Sequence, residues 1–201
     1  MAKLHFNYST MNAGKSTVLL QAAHNYKERG MATLLLTAEI DDRAGAGCIA
    51  SRIGLSAPAE TFGPRDDLGV RIAEVAAAGP LDCVLVDEAQ FLTAAQVWQL
   101  ARAVDTAGIP VMAFGLRTDF LGKLFEGSAT LLAIADELRE VRTICHCGRK
   151  ATMVVRLDAE GRVAREGAQV EIGGNERYVS LCRPHWIETM DGSGDQASLA
   201  L

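Results

Sequence analysis

The feature that most constrains this chain lies near its beginning, where an apolar run of strand length precedes a loop and a helical stretch. Leu4–Tyr8 supplies the run, Ser9–Thr17 reads Ser-Thr-Met-Asn-Ala-Gly-Lys-Ser-Thr, and an apolar helical face extends over Ser16–Arg29. A loop that ends in Gly-Lys-Ser between a strand and a helix is a P-loop, whose backbone amides surround phosphate oxygens. A chance glycine-containing turn is the alternative, although such a turn seldom lies at a strand-to-helix junction.

The P-loop pattern predicts where the phosphates of ATP bind. Lys15 is expected to reach the β- and γ-phosphates, and Ser16 is expected to bind Mg²⁺. Ser9 replaces the glycine that usually opens the motif, which changes the expected turn geometry but leaves the Gly-Lys-Ser end intact. The residues predicted to bind the nucleotide are Ser9, Thr10, Met11, Asn12, Ala13, Gly14, Lys15, Ser16 and Thr17.

A second polar element follows the apolar segment Cys83–Val86, which ends in Asp87 and Glu88. Acids at the end of a buried strand lie at the carboxyl edge of the sheet, where open α/β sheets bind ligands. Asp87 is therefore expected to face Mg²⁺, and Glu88 is free to orient or deprotonate an attacking oxygen. Gln90 is assigned to the same cofactor site. Two solvated acids that open a loop are the alternative interpretation.

Strands alternate with helices in the first part of the chain, which indicates a parallel sheet with crossover helices. Further strands are predicted at Thr33–Ala38 and Val111–Leu116, and helices at Asp66–Ala78 and Thr93–Ala107, each ending at a glycine. We therefore predict an α/β fold with a P-loop NTPase-like parallel sheet flanked by helices. This domain is expected to span residues 1–143.

A small lobe is predicted over residues 144–190, followed by a flexible tail at 191–201. Cys145-His-Cys147 and Cys182-Arg-Pro-His185 are two ligand pairs separated by strand-like sequence, the layout of a zinc ribbon. The predicted Zn²⁺ ligands are Cys145, Cys147, Cys182 and His185, because His146 lies between two ligands and would have difficulty pointing at the same ion. Most zinc ribbons have two residues within the first pair rather than one, so free thiols without metal are the alternative.

Composition excludes several classes of protein. The net charge of −5 and the absence of a dense basic patch argue against nucleic acid as a partner. The longest apolar run is too short to span a bilayer, so no membrane association is expected. The first residues lack a long apolar stretch and a small-residue cleavage pattern, which makes the cytoplasm the expected location.

Taken together, these motifs resemble the type II thymidine kinase family, the cellular class that is distinct from the herpesviral kinases. Besides the P-loop and Leu85–Phe91, the resemblance rests on Thr37–Arg43, Gly115–Phe120 and Ile172–Tyr178, and it covers nearly the whole chain. It implies transfer of the γ-phosphoryl group of ATP to the 5′-hydroxyl of thymidine, with Mg²⁺, to give dTMP and ADP in nucleotide salvage. It also implies that deoxyuridine is accepted and that the protein forms a homotetramer.

The resemblance also implies roles for individual residues. Glu88 would be the base that accepts the 5′-hydroxyl proton, and Asp41 and Arg43 would belong to the same centre. Residues 169–178 would form a lasso loop that closes over the nucleoside, with glycines that allow a close approach to a flat base. The residues implied to contact thymidine are Asp41, Arg43, Met11, Leu116, Phe120, Gln169, Val170, Glu171, Ile172, Gly173 and Tyr178.

Two other functions are compatible with parts of the sequence. The phosphate motifs alone also suit a P-loop ATPase or a kinase for another small metabolite, since they do not specify the acceptor. The third interpretation is a zinc-ribbon protein that binds nucleic acid and uses ATP as a switch. Met11, Leu116 and Phe120 could likewise be core residues, and the segment from Gln169 to Tyr178 could be a plain surface loop.

Overall fold

The computed structural model describes residues 1–41, 45–170 and 177–192. In chain order its elements are β1 (Leu4–Ser9), α1 (Lys15–Glu28), β2 (Thr33–Ala38), β3 (Cys48–Ala50), β4 (Ser56–Pro58), β5 (Glu60–Phe62), α2 (Leu68–Ala78), β6 (Cys83–Val86), a 3-10 turn (Ala89–Phe91), α3 (Ala94–Ala107), β7 (Val111–Leu116), α4 (Glu126–Ile134), β8 (Glu137–Glu140), β9 (Thr143–Ile144), β10 (Lys150–Ala151), β11 (Met153–Arg156), β12 (Tyr178–Leu181) and α5 (Arg183–Met190).

Six strands form one parallel sheet in the order β5-β2-β6-β7-β1-β8. The predicted α/β fold is thereby confirmed. β7 lies between β6 and β1, with Leu116 opposite Ser9 in the register. Because all the strands are parallel, the P-loop after β1 and the acids after β6 emerge at the same edge of the sheet.

Helices cover both faces of this sheet. Alternate side chains of β6 pack against helices on opposite faces. Val84 and Val86 belong to one buried cluster, which includes Leu100 of α3. Cys83 and Leu85 belong to another, which includes Leu19 of α1. Since alternate side chains of a strand point to opposite faces, a continuous apolar run is what a strand buried on both sides requires.

The predicted helices are present, with small shifts at their ends. α2 begins at Leu68 rather than at Asp66, because the Asp67 side chain accepts a hydrogen bond from the Val70 amide and serves as the N-cap. α3 begins after Thr93 in a capping box and ends at Gly108. In the larger domain, β3, β4, β5, β8 and α4 were not predicted from the sequence. β5 has only three residues and β8 reads Glu-Leu-Arg-Glu, so neither shows an apolar period.

The C-terminal lobe contains two short antiparallel pairs, β9 with β10 and β11 with β12, together with α5. β11 lies within the strand-like sequence predicted between the two ligand pairs, and the turn that follows it is held by Asp158, whose Oδ1 accepts from the amides of Glu160 and Arg162. Trp186 Nε1 donates to the carbonyls of Phe120 and Val154, which ties α5 to the larger domain. The domain boundary at 143/144 stays a prediction, and residues 193–201 of the predicted tail lie outside the described residues.

Across the three described ranges, no helix combines the length and apolar character needed to cross a membrane.

Candidate active site

The loop between β1 and α1 curls around a lysine. Asn12 and Gly14 have positive φ angles of 63° and 83°, and Gly14 immediately precedes α1. The Lys15 side chain is buried, and its Nζ donates to the Thr10 carbonyl at 2.8 Å. A lysine ammonium beside the amides of a helix N-terminus is an arrangement that favours a bound phosphate.

Ser9 occupies the position of the usual leading glycine without backbone strain. It lies at the end of β1, and its φ is not among the positive values of the described residues. Its hydroxyl donates to the Val141 carbonyl, which directs the side chain towards β8. Neither Ser9 nor Thr10 lines the cavity described below, so a contribution of these two residues to nucleotide binding would come from their backbone.

Asp87 is buried at the end of β6, 3% exposed, and its Oδ1 accepts from the Glu88 amide at 3.0 Å. Burial and the neighbouring Glu88 carboxylate raise the pKa of Asp87 to about 7. A hydrogen bond from the Ser16 side chain and the charge of Lys15 oppose this shift. The structure thus brings together a hydroxyl and a carboxyl oxygen, which are hard ligands of the kind that Mg²⁺ prefers.

Glu88 is held in an uncommon conformation beside Asp87. Its backbone is left-handed, with φ 52° and ψ 37°, a conformation that costs about 1–3 kcal/mol and clusters at functional sites. Gln90 Nε2 donates to the Glu88 carboxylate, and Gln90 Oε1 accepts from the Leu116 amide at 2.9 Å. Gly115 permits this approach, because a Cβ there would lie 2.9 Å from Gln90 Oε1. Gln90, predicted to serve the cofactor, therefore also links the acid to β7.

A cavity of about 490 Å³ runs from the P-loop to the C-terminal lobe, within the usual size range of small-molecule sites. Among the predicted site residues it is lined by Met11, Asn12, Ala13, Gly14, Lys15, Ser16, Thr17, Asp41, Asp87, Glu88, Gln90, Leu116, Phe120, Gln169, Val170 and Tyr178. Arg43, Glu171, Ile172 and Gly173 lie outside the described residues. The loop and strand ends that were predicted separately therefore share one cavity.

Part of the cavity wall is aromatic and apolar. Phe120, Val154 and Tyr178 form a buried cluster, against which Met11 packs. The Ser180 hydroxyl donates to the Met11 carbonyl at 2.7 Å, so the lobe is joined directly to the P-loop. Met11 and Phe120 were predicted either as residues that contact thymidine or as core residues. In the structure they pack in a hydrophobic cluster and also line the cavity.

Sequence reasoning missed one element of the cavity, the hairpin of β3 and β4. Its turn contributes Ser51, Arg52 and Ile53 to the lining. Ile53 is 72% exposed, so it is a part of the lining that also faces solvent. An arginine and an isoleucine beside a glycine in a short turn form too weak a pattern to predict that the turn lines the cavity.

The four predicted zinc ligands lie together in the C-terminal lobe. Their ligand atoms are all within 4.8 Å of one another, with Cys145 Sγ 3.3 Å from His185 Nδ1 and Cys147 Sγ 3.9 Å from Cys182 Sγ. Sulfur ligands at about 2.3 Å from a tetrahedral Zn²⁺ lie about 3.8 Å apart, so the spacing fits this ion. The Cys-His-Cys pair lies within a tight turn, which is closed by the Gly148 amide donating to the Cys145 carbonyl at 2.8 Å and which brings the two thiols to one side.

The chemistry of the cluster also suits a metal. Burial acts to raise the pKa of the Cys145 thiol, but hydrogen bonds from the backbones of Cys147 and Cys182 and from His185 lower it to about 6. A thiolate is the form that binds metal. His146 is exposed and stacks on the His185 ring, with centroids 4.4 Å apart, and it is not part of the four-ligand group.

A P-loop that opens at the carboxyl edge of a parallel sheet, with a buried acid at the end of β6 on the same edge, defines the class of P-loop nucleotide-binding α/β proteins. Comparison with known proteins narrows this class. The family described as thymidine kinase matches residues 2–186. The chain therefore belongs to the thymidine kinase family, and it is a kinase, that is, a phosphotransferase.

Individual relatives agree with this assignment over nearly their whole length. The chain is 70% identical to the thymidine kinase of Ruegeria pomeroyi over 194 residues, covering 96% of this chain and 98% of that one. It is 65% identical to the thymidine kinase of Agrobacterium fabrum, covering 96% and 100%. It is 60% identical to that of Xanthomonas campestris pv. campestris strain 8004, covering 100% and 98%.

Proposed function

We propose that the protein transfers the γ-phosphoryl group of ATP to the 5′-hydroxyl of thymidine, giving ADP and dTMP, and that it also accepts deoxyuridine. The observation that carries this proposal is the single cavity that joins a P-loop and Glu88 to the aromatic wall at Phe120. Such a cavity suits two substrates that meet end to end, one held by its phosphates and the other by a flat apolar base. Family membership supports thymidine as the acceptor.

The nucleotide side of the reaction is assigned to the P-loop. Lys15 and the backbone amides of residues 9–17 would bind the phosphates, and Ser16 with Asp87 would hold Mg²⁺. When bound, Mg²⁺ neutralises charge on the β- and γ-phosphates. Asp87 and Ser16 suit this role because they present oxygen atoms that already contact each other.

The acceptor side is assigned to Glu88. Its carboxylate takes the 5′-hydroxyl proton as the hydroxyl oxygen forms its bond to the γ-phosphorus and the bond from that phosphorus to the bridging oxygen of ADP breaks. Gln90 supports this role, because its amide holds the carboxylate while being anchored to the Leu116 backbone. Positioning of this kind matters, since a base must lie within hydrogen-bond reach of the proton that it removes.

The thymine ring is assigned to the apolar end of the cavity. Phe120 would supply its ring, and Met11, Leu116 and Tyr178 would supply further apolar and planar contacts. Asp41 and Arg43 would complete the centre at the sugar and phosphate side. Residues 169–178, of which 171–176 lie outside the described residues, would act as the lasso loop, whose glycines allow backbone groups to reach the edge of a pyrimidine.

Zinc is assigned a structural role. Cys145, Cys147, Cys182 and His185 would close a four-coordinate site, which leaves no position for water or substrate. The lobe that carries these ligands also carries Tyr178, so the metal would support the thymidine site indirectly. A homotetramer, a cytoplasmic location and the absence of nucleic acid as a partner complete the proposal.

Transfer of labelled γ-phosphate to a panel of nucleosides tests the function directly. We expect a labelled product with thymidine and deoxyuridine and none with purine nucleosides or cytidine. Label released as inorganic phosphate without any nucleoside would indicate an ATPase, and transfer to an unrelated metabolite would indicate another kinase. Binding to nucleic acid that weakens steeply with salt would support the third interpretation.

A further inference from the structure

Arg156, at the end of β11, lies directly behind the aromatic wall of the cavity. It is 5% exposed, and its guanidinium carbon lies 3.9 Å from the centroid of the Phe120 ring. Phe120 lines the cavity, whereas Arg156 does not. The guanidinium therefore covers a part of the ring that faces away from the cavity, at the distance of a close cation–π contact.

The same guanidinium binds the backbone that leads into the predicted lasso loop. Arg156 Nη1 donates to the Ala168 carbonyl at 2.9 Å, and Nη2 donates to the Glu166 carbonyl at 3.4 Å. Gly167 lies between them with φ 125°, and a Cβ there would lie 2.6 Å from Nη2. The chain can wrap this closely around the guanidinium only because residue 167 has no side chain.

A second connection joins the same two parts of the wall. Gln169 Nε2 donates to Asp119 Oδ2 at 3.0 Å, and Asp119 directly precedes Phe120. Asp119 is 3% exposed, and its Oδ1 accepts from the amides of Leu121 and Lys123. Phe120 and the segment that begins at Gln169 are thus joined on one side through Asp119 and on the other through Arg156.

We propose that Arg156 is a positioning residue for the nucleoside, which sets the separation between the Phe120 ring and the cavity-lining residues Gln169 and Val170. This inference rests on the proposed function, because the slot between these groups is the place assigned to the thymine ring. Arginine suits the position for a geometric reason. Its planar guanidinium can stack on a ring and donate to two carbonyls at once, whereas a lysine ammonium is a point charge that cannot do both.

Steady-state kinetics with each substrate test the proposal. In Arg156→Met, kcat/KM for thymidine is expected to fall by about thirtyfold, which corresponds to the energy of a desolvated cation–π contact, while KM for ATP is unchanged. Arg156→Lys is expected to restore little of the loss. The matched control is Arg162→Met, because Arg162 lies in the same lobe with an exposed side chain paired to Asp158 and Glu160. Parallel changes for both substrates, or recovery with lysine, would overturn the proposal.

A double-mutant cycle shows whether Arg156 acts through the ring. We expect Arg156→Met to have a smaller effect on KM for thymidine in a Phe120→Leu background than in the wild type, and additive effects would contradict the proposal. If Arg156→Met does not fold, Gly167→Ala provides a second variant at an exposed residue. Its Cβ is expected to displace the Arg156 guanidinium and so to raise KM for thymidine selectively. The wild-type assay separates the two hypotheses. A wild type inactive on thymidine refutes the proposed function, whereas an active wild type with unaffected variants refutes only the role of Arg156.

Discussion

The side-chain amide of Gln90 donates a hydrogen bond to the carboxylate of Glu88 and accepts one from the backbone of β7. This pair links the acid at the end of β6 to the neighbouring strand. Gln90 is almost fully buried, and Glu88 keeps a left-handed backbone conformation that is unusual for a residue with a side chain. The carboxylate of Glu88 is consequently positioned in the cavity by contacts within the protein itself.

Glu88→Gln is expected to retain nucleotide binding and to lower turnover by about 10²–10⁴-fold, because an amide cannot accept the hydroxyl proton. Rates at saturating thymidine and ATP measure this effect. Glu28→Gln, in an exposed position on α1, is the matched control. Turnover near that of the wild type would remove Glu88 from the role of base.

Gln90→Leu is expected to lower both kcat and thermal stability. The substitution keeps the volume similar but leaves the Leu116 amide and the Glu88 carboxylate without this partner, and a buried group that loses its partner costs about 1–3 kcal/mol. Thermal unfolding and kcat are measured on the same preparation. A loss of stability with unchanged kcat would show that Gln90 supports the fold but does not position Glu88.

Asp87 is expected to make the metal-free protein less stable as the pH rises. The pKa of Asp87 in the folded protein, about 7, lies above the ordinary value of 3.8, so between these values the folded state binds more protons than the unfolded state. The free energy of unfolding therefore decreases with rising pH across this window. In the presence of a chelator, Asp87→Asn is expected to be more stable than the wild type at pH 8, with a smaller difference at pH 5.

The control for Asp87 is the addition of Mg²⁺ and ATP at pH 8, which is expected to stabilise the wild type more than Asp87→Asn, since only the wild type keeps the full ligand set. The variant is also expected to be inactive. A stability difference between the two proteins that does not change with pH would refute the raised pKa.

One Zn²⁺ per chain is expected in protein purified without chelator, as measured by elemental analysis. Cys182→Ser is expected to lose the metal and to unfold at a lower temperature, because Cys182 lies both in the ligand cluster and in the core of the lobe. Cys48→Ser is the control, since Cys48 is a free cysteine of β3 outside the cluster. Protein that contains no zinc, or a Cys182→Ser variant with the stability of the wild type, would contradict the structural site.

The sequence alone was sufficient to predict those parts of the protein that are formed by residues close together in the chain. The P-loop is specified by consecutive residues, and a fully apolar run such as Cys83–Val86 is typical only of a strand buried on both faces. The predicted α/β sheet was confirmed for this reason. The four predicted zinc ligands were found together because their two pairs each belong to a short turn or helix start, whose spacing sets the geometry.

Tertiary structure alone decided the contacts between residues that are far apart in the chain. Three such contacts depend on strand order and on how the lobe packs against the sheet. They are the link from Gln90 to the Leu116 backbone, the stacking of Arg156 on Phe120, and the position of the β3–β4 hairpin in the same cavity as the P-loop. No periodicity or spacing encodes such contacts, because each joins segments whose local patterns are independent of each other. The sequence therefore determined which chemical groups are available, and the packing of the sheet and the lobe determined which of them meet.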